Sequence, residues 1–202
     1  MLSEEQINKN AETVVKLVEK YVISARKTSI IEMLKEIGTQ FYTAPASGKY
    51  HCQFPGGLVH HTLLMTKKLF ELSKKFEHNI SDESLLIAGL FHDLGKACTI
   101  SKQDIYIWNS NQWRRDNLNE QYISNPEIRD GLTHAQRSIR LLTYFNVPLT
   151  DDEFQAILFH DGQYVDENKT IRHKQCKLGF LVHSADAWTA FFGEDDFKEK
   201  SK

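Results

Sequence analysis

Apolar residues recur at helical spacing along most of this chain, and the pattern is interrupted in only a few places. Val14, Val15, Val18 and Val22 predict an amphipathic helix over residues 3 to about 23, opened by Ser3 and Gln6 in the manner of a capping box. A second helix is expected from Ser29 to Phe41. The stretch TAPASGKYHCQFPGG (43–57), with its two prolines and three glycines, breaks the periodicity and reads as an ordered loop. Leu58, His61, Met65, Leu69, Leu72 and Phe76 then form the apolar stripe of a third helix. His61 lies on that stripe, whereas His60 points about 100° away from it. After a turn and cap at 79–83, LLIAGLFHDLG is apolar nearly all round, which predicts a central buried helix ended by Gly95. Residues 99–123 mix β-branched and aromatic side chains around Asn109-Ser110-Asn111 and predict a short β-hairpin. Helical patterning returns over 126–145, 150–160 and 174–192, and the tail GEDDFKEKSK reads as solvated and frayed. The fold expected is all-α: a helical bundle with a small β-hairpin insertion, in one domain. It comprises N-terminal helices (1–45), a core (50–192) holding the insertion (99–123), and a tail (193–202).

Composition narrows the class. At 202 residues, 41% hydrophobic and 26% charged, the chain has the makeup of a globular protein rather than a disordered one. A net charge of −2 argues against stable binding to duplex nucleic acid, which needs a basic face. Cys52, Cys98 and Cys176 are far apart and form no Cys-x-x-Cys pair. That pattern fits a reducing compartment and gives no thiolate zinc site. The start MLSEEQINKN lacks the features of a signal peptide, and no run approaches the ~20 apolar residues of a membrane span. The expectation is a cytoplasmic chain with no membrane partner; oligomeric state is left open.

The chemistry concentrates in FHDLGK (91–96), where His92 and Asp93 adjoin in an otherwise apolar segment. Burying both is costly unless something pairs with them, and a divalent metal would do so. Neighbours on a helix diverge by about 100°, so further ligands must come from other helices. His61, His134, His160 and Asp186 stand on apparent inward faces: His134 leads Ser138, Leu141 and Phe145, His160 follows Phe154 and Ile157, and Asp186 follows Leu178 and Val182. A lone His-Asp pair is common by chance; the ordered set is not. His134 and His160 also fit as core histidines or as substrate contacts beside a single metal. Lys96, one turn beyond His92, and Arg137, one turn after His134, are the candidate cations for an anionic ligand. His60, His78 and His173 read as surface histidines, and His51 as a solvated loop residue, with a place at the pocket mouth as the alternative. His183 reads as packing or as a partner of Asp186, and Asp161 as an optional contact to metal or water. Trp108, Trp113, Arg114 and Arg115 read as hairpin-stabilising rather than base-stacking. Trp188, Phe191 and Phe192 read as core, and Cys98 as a small buried residue.

The segments GGLVHHTL, FHDLGK, GLTHAQRSI, AILFHDGQY and SADAWTA, in this order over roughly residues 50–192, resemble the HD-domain metal-dependent phosphohydrolase superfamily. The resemblance is to compact bacterial and phage members with a dinuclear centre. It implies a first divalent ion held by His61, His92, Asp93 and Asp186, with Asp93 bridging to a second held also by His134 and His160. The ions implied are Mn, Fe, Co, Zn or Ni, with Mg admissible. The activity implied is hydrolysis of a small phosphorylated substrate, a nucleotide or short oligonucleotide, by metal-activated hydroxide. Within the same superfamily the same six ligands also serve diiron oxygenases, and a non-catalytic nucleotide-binding regulatory module is a third possibility.

Overall fold

The computed structural model describes residues 2–76 and 79–193. Eight α-helices account for most of it: α1 (Glu4–Tyr21), α2 (Arg26–Thr43), α3 (Gly57–Ser73), α4 (Asp82–Phe91), α5 (Gln112–Leu118), α6 (His134–Tyr144), α7 (Asp151–Leu158) and α8 (Lys177–Trp188). Two three-residue strands, β1 (Tyr106–Trp108) and β2 (Tyr122–Ser124), pair antiparallel with Tyr106 opposite Ser124 and Trp108 opposite Tyr122. The fold is all-α with a small two-stranded sheet. The expected surface histidine at 78 and the frayed tail at 194–202 lie outside the described residues.

Local sequence sets the helix starts. Ser3, Ser81, Thr133 and Thr150 each cap a helix through the side-chain oxygen. Thr133 with Gln136 and Thr150 with Glu153 form complete capping boxes. At α1 only half of the expected box forms, because Gln6 Nε2 donates to Asn10 Oδ1 (3.0 Å) instead. The Thr133 box also explains why α6 starts at His134 and not near Pro126; residues 125–133 form a loop.

One core runs through the helices. Val14 and Val18 of α1 and Val22 at its C-cap meet Ile30, Met33, Ile37 and Phe41 of α2, and Leu85–Phe91 of α4 are almost completely buried. α3 packs against α4 and α8, and α7 packs against α8. Several apolar residues assigned inward are exposed. Phe76 lies beyond the end of α3 at Ser73, and Phe154 faces out of α7 although Ile157 is buried. Trp188, Phe191 and Phe192 are exposed as well, because α8 passes into a π-helical turn (Thr189–Gly193) that carries their rings off the core. Trp188 instead receives the Lys68 ammonium over its ring at 3.6 Å.

The insertion differs in detail from a simple hairpin. Asn111 is the N-cap of α5, accepting from Arg114 N (3.1 Å), so a helix rather than a tight turn joins the strands. Trp113, Arg114 and Arg115 therefore ride on α5. Trp108 does pair across the strands with Tyr122, edge to face at 5.4 Å.

Candidate metal centre

Three of the six expected ligands lie on helices: His61 in α3, His134 at the first position of α6, and Asp186 in α8. The other three do not. α4 ends at Phe91, so His92 and Asp93 occupy the turn that leads into a 3-10 segment, Leu94–Lys96. His160 likewise lies just past α7. This corrects the expectation that FHDLGK continues a helix, and the reason is chemical. The last carbonyls of a helix lack helical partners. His92 Nδ1 donates to Gly89 O (2.9 Å), and His160 Nδ1 donates to Ile157 O (2.8 Å). A carbonyl can only accept, so each Nδ1 carries hydrogen, and Nε2 is the nitrogen each ring turns into the centre, the one that would ligate a metal once it carries no proton. The same device thus presents one ligand from the end of α4 and one from the end of α7.

Gly95 is not the helix-ending glycine its position suggested. A Cβ there would lie 2.0 Å from His134 O and 2.6 Å from Ser138 N, so α6 approaches too closely for any side chain. Ser138 Oγ secures that approach by donating to His92 O (2.8 Å) and accepting from Gly95 N (2.8 Å). This clasp fixes His134 beside Asp93.

All six residues converge, and Asp93 divides them. Its Oδ2 lies 3.5 Å from His92 Nε2 and 4.0 Å from His61 Nε2. Asp186 Oδ1 closes that half, 2.9 Å from His61 Nε2 and 3.8 Å from His92 Nε2. Asp93 Oδ1 faces the other way, 3.3 Å from His160 Nε2 and 3.5 Å from His134 Nε2, which are 3.1 Å from each other. Two donors about 2.1 Å from one ion lie roughly 3.0–3.4 Å apart in octahedral or tetrahedral geometry. The spacings are of that order.

The donor set fits a metal on a second count. His92 Nε2 and Asp93 Oδ1 are buried, and no hydrogen bond to either is found among the described residues. Buried polar atoms left this way are costly, and a cation shared between them removes the cost. Buried His and Asp side chains here could hold a metal ion in more than one grouping.

Electrostatics follow from the crowding. Burial disfavours charge on Asp93, but Lys96 and the flanking histidines outweigh it and hold the carboxyl well below its usual range. Burial likewise opposes ionisation of Asp186, and His61 overcomes it. His134 is pushed down to about 4, chiefly by burial, whereas His160, also buried, is carried up to about 9 by Asp93 and Asp161.

The candidate cations separate. Lys96 Nζ is 2.6 Å from Asp93 Oδ2 and stays charged, because Asp93 outweighs burial. Arg137 is committed elsewhere: Nε and Nη2 bind both oxygens of Asp130 (2.9 and 3.0 Å), and Nη2 also binds Leu132 O (2.7 Å). It ties down the loop before α6, so it is not the free cation that its spacing from His134 suggested.

Other residues take places the sequence reading did not give them. His51 is not a solvated loop residue: its ring stacks on His61 at 4.9 Å. His60 is half-buried against Phe54, not on the surface, while His173 is exposed as expected. His183 does not orient Asp186; its Nδ1 donates to His160 O (2.9 Å). An antiparallel bridge between Cys98 and Asp104 folds the start of β1 back, and Tyr106 comes within electrostatic reach of Lys96. That arrangement was not foreseen; it depends on where the insertion docks. Cys98 is fully buried, as expected. Among the described residues no helix is long and apolar enough to cross a membrane. Comparison of the chain with family models, with curated proteins and with solved structures returns no match.

Proposed function

We propose that the chain is a metal-dependent phosphohydrolase of the HD type, acting through a pair of divalent ions on a small phosphoester, a nucleotide or short oligonucleotide. One observation carries this reading: the two oxygens of Asp93 face two different pairs of histidines. A carboxylate so placed is suited to bridge two ions. His61, His92 and Asp186 would complete the first position, and His134 and His160 the second. Bound ions would supply Lewis acidity and lower the pKa of water from ~16 towards ~7. Lys96 is the chain's own cation at this point, and it is placed to hold an oxygen of an anionic substrate once metal relieves it of Asp93. His92 and His160, pinned through Nδ1, keep their ligating nitrogens aimed without reorganisation. The unbridged thiols of Cys98 and Cys176 are in keeping with a cytoplasmic location.

The test is metal content per chain by mass spectrometry, on protein prepared without chelator or affinity nickel. Phosphomonoesters, cyclic nucleotides and short oligonucleotides are then screened with Mn, Co, Fe and Zn. About two equivalents with phosphate release is the expected result. Iron with oxygen consumption and no hydrolysis would point to the oxygenase. Protein free of metal and inert with every added ion would leave a regulatory module.

A further inference from the structure

Asp161 follows His160 directly, and its position is built. Gly162 has φ +90°, and a Cβ there would lie 2.4 Å from the His183 ring, so only glycine fits this turn. Gly162 N donates to Phe159 O (2.9 Å), and buried Asn168 donates from Nδ2 to Gly162 O (2.9 Å). His183 holds the preceding carbonyl, that of His160, at 2.9 Å. The turn after α7 is thus fastened on both sides of Asp161. Its carboxylate points back at the second pair of histidines, with Oδ2 3.4 Å from His134 Nε2 and Oδ1 3.8 Å from His160 Nε2.

This changes the donor count. The first half-site has two imidazoles and two carboxylates: His61, His92, Asp93 and Asp186. The second, without Asp161, has only His134, His160 and one oxygen of Asp93. That oxygen, Oδ1, is buried and has no hydrogen bond among the described residues. With Asp161 the two sets become equal in kind and differ in access. In the first half-site His61 and His92 are fully sealed and Asp186 is 21% exposed; in the second His160 is sealed, whereas His134 and Asp161 are 26% and 44% exposed.

We propose that Asp161 is the fourth protein donor of the second half-site, and that this half-site is the one that exchanges its ion with solvent. The inference rests on the paired-metal reading. Imidazole and carboxylate together suit a borderline divalent ion, and Mn2+ is the probe of choice. A purely electrostatic role for Asp161, beside a protonated His160, is the competing account.

The experiment is calorimetric titration of metal-stripped protein with Mn2+, with circular dichroism to verify folding. Wild type is expected to take up about two equivalents in a tight and a weaker step. Asp161→Asn should leave the tight step unchanged and weaken the second by more than about ten-fold, while Asp161→Glu, which keeps a carboxylate, should retain it. A second step within about two-fold of wild type in the Asn variant overturns the proposal and leaves the paired reading standing. Loss of the tight step instead would also overturn it. Uptake of a single equivalent by wild type would overturn the paired reading itself.

Discussion

The two ends of α4 each carry a buried cluster of charge, about 15 Å apart along the helix. At the start, Glu83 accepts from Ser24 Oγ and from Arg26 Nε (2.9 Å) and Nη2 (2.6 Å) on one oxygen, and from Ile23 N (3.0 Å) and Ser24 N (3.2 Å) on the other. Arg26 Nη1 reaches on to Glu153 Oε2 (2.6 Å) and Pro148 O (3.1 Å). Donors and acceptors are nearly matched, and only Glu153 Oε1 has no partner among the described residues. At the far end, the carboxylates of Asp93 and Asp186 and four imidazoles turn toward one another, and among the described residues Lys96 is the one ammonium in contact. The first cluster closes on itself and locks α1, α2, α4 and α7 together. The second leaves His92 Nε2 and Asp93 Oδ1 without a hydrogen bond among the described residues, and on the proposed reading an ion from solution completes it. Burial of charge therefore does not by itself single out a candidate site; burial of charge without internal closure is what singles out this one.

The sharpest way to break that comparison is Asp93→Ala. If the far end holds metal, loss of the shared carboxylate should lower both metal content and turnover, the latter by more than about 100-fold. Mass spectrometry and a phosphate-release assay read the two. Retention of both would mean that the open end is not the working site.

The next largest effect falls at the closed end. Arg26→Met leaves two buried carboxylates without their cation, and breaking such a network costs about 3–5 kcal/mol. At this chain length that lowers the melting temperature by roughly 10 °C. Metal uptake by the surviving folded protein should not change. A variant that melts normally but loses metal would reverse the roles assigned to the two ends.

The sequence made the candidate metal end far more legible than the other. His61, His92, Asp93, His134, His160 and Asp186 could be picked out because each interrupts an apolar pattern with a group that is costly to bury. Arg26 and Glu83 gave no such signal, since a helix start is an ordinary place for either. What failed was local geometry at helix ends. Nothing in FHDLGK announces that α4 stops before His92, because the cause is a ring donating back to Gly89 O. Gly95 read as a helix terminator, whereas its role depends on α6, 40 residues on. Arg137 read as a free cation because its partner Asp130 sits in a loop whose path no periodicity predicts. The aromatic residues after Asp186 followed helical spacing into a segment that leaves the core.

A smaller effect separates the two ends by pH. Burial alone would raise the Glu83 carboxyl, but bonds from Ser24, Ile23 N and Arg26 bring it from an ordinary 4.5 down to about 2. A depressed carboxyl stabilises the fold fully above about pH 4.5, and this contribution is lost as pH falls through about 2. The amount is on the order of 2–3 kcal/mol. Urea unfolding in chelator, from pH 6 to pH 2, should show wild type losing that much more than Glu83→Gln. Equal losses would mean that the network does not hold Glu83 ionised.

The smallest expected effect comes from neighbouring histidines on α3. His61 is sealed beside Asp186 and Asp93, whereas His60 turns about 100° aside, packs against Phe54 and lines the groove between α1 and α3. His60→Ala should therefore leave turnover within about two-fold of wild type, the scale of a substitution away from any critical contact. His61→Ala should remove activity and the metal step that Asp186 shares. The pair differ by one position on the same turn, so helix propensity cannot account for a contrast between them; because His61→Ala also opens a cavity, circular dichroism must show both variants folded at the assay temperature. Equal loss in both would mean that α3 reaches the centre through its packing as a whole. The division between a closed structural end and an open chemical one would then have to be drawn at the level of helices rather than side chains.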